Sequence, residues 1–161
     1  MKRDARKGLL INPIQNGTVI DHITGGEALN VLKIIGITGT TTESISVATN
    51  VESGKMGRKD IVKIENRELH KEEVNRIALI APNASINIIR NFEVCEKKGV
   101  EIPCILIGVV RCPNPGCISN TNEPIYSKFE VLPKGLHCLY CDWIITKDIT
   151  SHLILREDWR S

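Results

Sequence analysis

The chain has 161 residues, of which 42% are apolar and 25% charged, with a formal net charge of +2. This is a globular profile, long enough for one ordinary domain or two small ones. The near balance of charge excludes a global field aimed at nucleic acid or membrane, and the longest apolar runs, such as 102–110, are too short to span a bilayer.

The basic N-terminus, M-K-R-D-A-R-K, leads into a brief apolar stretch broken by Asn12 and Pro13, so no secretion signal is expected. Six cysteines without such a signal point to a reducing, cytoplasmic setting, where cysteines serve as metal ligands or core residues. Aromatics are only 4%, too few to build the stacking platforms of a single-strand nucleic-acid binder.

The first predicted element is a strand, T18-V-I-D-H-I23. Asp21 and His22 interrupt its β-branched run. Neighbours in a strand point to opposite faces, so the two are not expected to share one side. T24-G-G-E27 fits a capping box, and behind it Ala28, Leu29, Leu32, Ile35 and Gly36 recur at helical spacing. The stretch 42–51 alternates, with Ile45, Val47 and Val51 on one face and Ser44, Ser46 and Asn50 on the other. S53-G-K-M-G57 is a turn. The next strand, 58–65, points Val62 and Ile64 inward and Lys63 outward. A second helix is expected over 71–80, with acids in its first turn and Pro82 beyond its end. A fourth strand covers 84–90, with Ala84, Ile86 and Ile88 opposing Ser85 and Asn87. The order β-α-β-β-α-β is the split βαβ, ferredoxin-like unit: one antiparallel sheet with two helices on one face and the other face open.

Composition changes near Pro103. Residues 1–103 hold fifteen basic and thirteen acidic side chains and one cysteine; residues 104–161 hold six of each sign and the other five cysteines. The boundary is placed there, giving domains 1–103 and 104–161 and an overall α+β class. The second domain is predicted to be small and all-β, with strands near 105–110, 126–132 and 136–140. Its C112-P-N-P-G-C117 and C138-L-Y-C141 pairs suit a tetrahedral Zn²⁺ site of the zinc-ribbon kind. Four thiolates close the coordination shell, which favours a structural ion over a catalytic metal or a redox pair. There is too little apolar material here to fold without such a staple. His137 adjoins Cys138 but is not needed as a ligand. Cys95 and Cys104 are expected to be buried apolar thiols.

A zinc-ribbon protein that binds nucleic acid is the first alternative. Four thiolates and one Zn²⁺ add about −2 to a neutral half, the wrong sign for phosphate backbones. A docking surface for another protein fits better. The first half offers a different constellation. Asp21, His22, Lys63, Asn87 and Lys97 lie in or just after different strand segments, and in the split βαβ sheet these segments are neighbours. Lysines, an amide, an Asp and a His suit a nucleotide, with lysines meeting phosphates as point charges. Taken singly, each reads equally well as a solvated lysine, a satisfied histidine or a local cap; only their joint placement carries the reading. No Gly-rich phosphate loop is present. An enzyme with its own nucleotide chemistry is a further alternative, but no nucleophile–base pair or carboxylate pair can be placed.

G17-T-V-I-D-H-I23, M56-G-R-K-D-I-V-K-I-E-N66, A81-P-N-A-S-I-N87, C112-P-N, C117-I-S and C138-L-Y-C141 come in an order and spacing that resembles the regulatory chain of aspartate carbamoyltransferase, over about residues 10–155. The resemblance implies a non-catalytic subunit of pyrimidine biosynthesis. It implies a ferredoxin-like allosteric domain that binds CTP as inhibitor and ATP as activator, with UTP assisting CTP in some members. It implies a homodimer through that domain, and a domain with one structural Zn²⁺ docked on the catalytic chain, with two catalytic trimers and three regulatory dimers in the assembly. Neither nucleic acid nor membrane is an expected partner. Carried over residue by residue, Asp21 would contact ribose, His22 would lie beside base and phosphates, Lys63 would contact ribose and be needed for the response, and Lys97 would bind phosphate. Asn87 would belong to the same pocket, while Ile14, Ile89 and Val94 would read the base. Cys112, Cys117, Cys138 and Cys141 would hold the metal. Phe92 stands where some members have Tyr, and Gly99 where some have a basic residue. Pro13 removes an amide that could donate. The first seven residues do not align clearly with the arm that helps shape a second nucleotide site.

Overall fold

A computed structural model describes residues 13–37, 41–54 and 56–154. The N-terminal arm therefore lies outside the described residues. In chain order the elements are β1 (Gly17–Thr24), α1 (Ala28–Ile34), β2 (Ile45–Ser53), β3 (Gly57–Glu65), α2 (Lys71–Ile77), β4 (Ser85–Arg90), β5 (Glu93–Gly99), β6 (Ile105–Ile107), β7 (Lys128–Leu132), β8 (Gly135–Cys138) and β9 (Ile144–Ile145). Short 3₁₀ turns cover Ile118–Asn120 and Ile149–His152. The class is α+β.

The first sheet is antiparallel, in the order β2-β3-β1-β4-β5. The first four strands and two helices are the expected β-α-β-β-α-β unit. The fifth strand was not expected. It follows β4 through a two-residue turn in which Asn91 and Phe92 both take left-handed φ values of 54° and 67°, the geometry that matches strand twist in tight hairpins. All seven residues of β5 are exposed, so no alternation marks it in the sequence.

One sheet face packs on both helices. Ile20, Ile23, Val62, Ile64, Ile86 and Ile88 are buried there with Ala28, Val31 and Leu32 of α1 and Val74 and Ile77 of α2. The helices end earlier than their periodicity suggests, α2 at Ile77 rather than residue 80. The expected Thr24–Glu27 capping box does not form. Glu27 occupies the N-cap position without a side-chain cap bond and instead accepts from Asn30. The cap comes from across the sheet: Asp60 Oδ2 accepts the N–H groups of Gly26 (2.9 Å) and Ala28 (2.8 Å).

Two β-bulges correct the expected face assignments. In β1, Ile20 pairs with Val62 and Ile23 with Asp60, so β1 spends three steps where β3 spends two. In β2, Ala48 pairs with Ile61 and Val51 with Lys59, the same excess. Each bulge inserts one residue. In β1 the result is that Ile20 and Ile23 both face the core, while Asp21 and His22 both face the open side. The expectation that these two could not share a side is overturned; His22 absorbs the insertion at φ 56°. In β2, Val51 falls on the face opposite Val47, not beside it.

The second sheet is β6-β7-β8-β9, fully antiparallel. Its core is Leu106, Phe129, Leu136 and Ile145 with the cysteine side chains. Gly135, which opens β8 at φ 152°, has no room for a side chain: a Cβ would stand 2.2 Å from the Ile145 carbonyl oxygen. Lys33 of α1 reaches the 3₁₀ turn Ile149–His152, its Nζ donating to the Thr150 carbonyl at 3.1 Å.

Candidate effector site and metal centre

Register assembles the open face. Lys63 pairs with Val19, Val19 with Asn87, and Asn87 with Lys97. Side chains directly across from one another in a ladder share a face, so Lys63, Asn87 and Lys97 stand in one row across β3, β1, β4 and β5. Asp21 stands in the next row, paired with Ser85. His22 leans toward the same strand, its Nδ1 3.2 Å from Ser85 Oγ.

Asp21 is the hub of the charges. Its Oδ1 lies 2.9 Å from Lys59 Nζ and accepts the His22 N–H at 2.6 Å. Burial alone would raise this carboxyl; the Lys59 hydrogen bond, the His22 amide and the nearby positive charges outweigh it and hold it below the ordinary value. Burial pushes the Lys63 ammonium down, and the Asp21 charge partly restores it. Asn87 Nδ2 reaches the Val19 carbonyl only at 3.5 Å. Three lysines and a histidine against one Asp make this face cationic at its centre.

The apolar end lies at the β4–β5 turn. Ile89 pairs with Gly17 and Val94. Ile14 and Ile89 are both buried, yet neither belongs to the main core. The segment carrying Ile14 is tied to the turn: Phe92 N–H donates to the Gln15 carbonyl at 2.9 Å, and Asn91 N–H to Asn16 Oδ1 at 3.2 Å. Val94 and Phe92 are exposed.

In the second sheet, the four sulfur atoms of Cys112, Cys117, Cys138 and Cys141 all lie within 4.8 Å of one another. Cys112 and Cys141 Sγ are 3.5 Å apart, and Cys117 and Cys138 Sγ 3.7 Å. A tetrahedron with metal–sulfur bonds of about 2.3 Å has edges of about 3.8 Å, so the set fits Zn²⁺. The first loop is knitted by Asn120 Nδ2, which donates to the Cys112 and Asn114 carbonyls at 2.8 and 2.7 Å. The second is closed by Cys138 N–H on the Trp143 carbonyl and Asp142 N–H on the Cys138 carbonyl. Burial pushes the Cys112 and Cys138 thiols up. For Cys141 burial is outweighed by hydrogen bonds from Asn114 and the Trp143 amide, which bring it down to about 7. Zinc takes the thiolate form, so binding releases protons.

A family model described as the aspartate carbamoyltransferase regulatory chain, allosteric domain, matches residues 9–101. A second, for the metal-binding domain of the same chain, matches residues 104–151. The chain belongs to the family of aspartate carbamoyltransferase regulatory chains. It is similar to the regulatory chains of Methanoculleus marisnigri (72% identity, 94% of this chain and 98% of the other), Methanospirillum hungatei (63%, 94% and 97%) and Haloarcula marismortui (53%, 94% and 97%). As a regulatory chain it is a non-catalytic subunit, with an allosteric and a metal-binding domain and one structural zinc held by the four cysteines.

Two residues of the open face, Lys59 and Ser85, carry no mark of it in the sequence of the regulatory chain. Lys59 sits inside the quoted M-G-R-K-D block, but a lysine one place from a buried strand residue carries no mark of its role until the bulge turns Asp21 toward it. Ser85 was noted only as an outward strand residue. Cys95 and Cys104 were expected to be buried; both are exposed. Cys95 is the extra residue where β5 passes from Glu96 to Val94 against Ile88 and Ile89, and Cys104 lies at the entrance to β6, too near the chain's turn from one sheet to the other to be covered.

Proposed function

We propose that residues 1–103 bind CTP and ATP on the open sheet face, and that residues 104–161 dock on the catalytic chain and pass the signal to it. The observation that carries this is the row Lys63–Val19–Asn87–Lys97 with Asp21, His22 and Lys59 beside it. Triphosphate oxygens meet Lys97 and His22. Asp21 and Lys63 meet the ribose hydroxyls, with Lys59 fixing the Asp21 carboxylate. The base lies toward Ile14, Ile89 and Val94. A purine and a pyrimidine differ in length, so they press differently on the segment carrying Ile14. That difference is what an inhibitor and an activator sharing one site require, since each must bind the two states of the assembly unequally.

The partners follow from the two exposed edges. Strand β5 ends the first sheet with every residue exposed, and a second copy pairing along it would complete a homodimer. On and around the second sheet Ile105, Ile107, Ile118, Leu139 and Trp143 are exposed apolar residues and supply the docking surface for the catalytic chain. The zinc–thiolate charge of about −2 keeps this surface from nucleic acid. No helix among the described residues is long and apolar enough to cross a membrane. Free thiols gathered for a metal suit the cytoplasm.

Calorimetric titration of CTP and ATP into the zinc-loaded chain, with Lys97→Ala beside it, tests the reading. Saturable binding that the variant loses supports it. Absence of binding to both the chain and its complex with the catalytic chain would overturn it.

A further inference from the structure

Asp60 is the least expected residue of the first domain. It is fully buried on the core face of β3, opposite Ile23. A carboxylate there is costly unless every acceptor is used. Asp60 uses them on three backbone donors: Oδ1 accepts the Asn50 N–H at 2.7 Å, and Oδ2 accepts Gly26 and Ala28. One donor lies inside the β2 irregularity, and the other two lie just past the β1 irregularity. Asn50, at φ 53°, is inside the β2 bulge. Gly26 is in the turn that follows β1, and Ala28 opens α1.

The two bulges overlap on β3: the β1 bulge lies across 60–62 and the β2 bulge across 59–61. The knot around them is tight. Arg58 donates to the Asn50 carbonyl at 2.8 Å. Asp60 therefore stands behind the sheet, clamps the β2 bulge directly, and anchors the chain just past the β1 bulge, whose far edge, Ile23, is its register partner. What the bulges place on the front is Asp21, His22 and the Lys59 contact to Asp21.

We infer that Asp60 is a positioning residue of the effector site: it touches no nucleotide, and by holding the β2 bulge and the chain that leaves the β1 bulge it keeps Asp21 and His22 turned together toward the ligand. The inference rests on the reading of the open face as the nucleotide site. It separates two roles that a buried carboxylate can have, holding the fold and aiming a site.

The test is made on the complex of this chain with its catalytic chain. Asp60→Asn keeps the shape but points an N–H₂ at one of its N–H partners. Glu73→Gln is the control. Glu73 is also buried, pairs with Arg67, and sits on α2 away from the open face. Expected for Asp60→Asn is CTP binding weakened roughly tenfold or more, from one buried donor left unpaired, with activity in the absence of nucleotide unchanged. Glu73→Gln should lower the melting temperature without moving CTP affinity. If Asp60→Asn does not fold, Arg58→Met carries the test, because it removes the exposed donor to the Asn50 carbonyl in the β2 bulge; several-fold weaker CTP binding is then expected at a near-normal melting temperature. Wild-type CTP affinity in the folded variant overturns the inference, as does a loss shared equally by Glu73→Gln. Failure of the unmodified complex to bind CTP would instead overturn the nucleotide reading itself.

Discussion

The cysteine cluster and the open sheet face are each made by a handful of side chains, but over different lengths of chain. The cluster takes two pairs from two loops, 112–117 and 138–141, joined by the β7–β8 hairpin. The open face takes one or two residues from each of four strands, from Asp21 to Lys97, and aligns them only through pairing register. A site made by loops is fixed once its loops close on an ion. A site made by register depends on every bulge and turn between its members. The first is closed and inert by geometry; the second is open and can respond to what it binds.

Removing the metal should break this comparison most severely. Chelation, or Cys138→Ser, should unfold the second sheet and release the chain from its catalytic partner, because zinc binding is folding free energy in so small a core. Sedimentation of the complex with and without chelator measures it. The first sheet should keep its circular dichroism and its nucleotide binding, which shows that the sites are separately built.

Lys63 sharpens the comparison from the other side. Its ammonium is pushed down by burial, so it loses its proton at a lower pH than an ordinary lysine. An adjacent ligand anion favours the charged form, so CTP affinity should fall as pH rises through that lowered value. Lys63→Ala should bind CTP about 10–100-fold more weakly, the weight of one charge-assisted bond, and lose that alkaline pH dependence. Calorimetry across neutral to alkaline pH reads both. An unchanged CTP/ATP contrast in the variant would remove Lys63 from the response.

The smallest expected effect joins the two regions. Lys33→Met removes the bond to the Thr150 carbonyl while keeping most of the aliphatic stem. Nucleotide affinity of the isolated chain should stay as it is. The coupling between nucleotide and catalytic activity should shrink by about 0.5–2 kcal/mol, measured as the ratio of half-saturating substrate with and without CTP.

The sequence shows these regions unequally well. Two cysteine pairs at short spacing announce a tetrahedral site before any fold is known. Alternation in 58–65 and 84–90 places Val62, Ile64, Ile86 and Ile88 inside, and they are inside. Strand β5 escapes notice because Glu93, Glu96, Lys97 and Lys98 give it no apolar face, and its turn is Asn-Phe rather than Asn-Gly. The bulges escape because an inserted residue looks like a failure of alternation, not like a signal. The helix cap escapes because Asp60 lies over thirty residues from the amides it serves, while the nearer Thr24–Glu27 offers a local pattern that the chain does not use.

The β1 bulge has a consequence for how such a site can arise. Without His22, Ile20, Asp21 and Ile23 would alternate regularly, core, open, core, and pair with Val62, Ile61 and Asp60 in step. The strand would still fit its neighbours and its buried face would be unchanged. One codon therefore separates a plain structural strand from one that offers an acid and an imidazole side by side, and a family could cross that gap in a single insertion without first unlearning its fold.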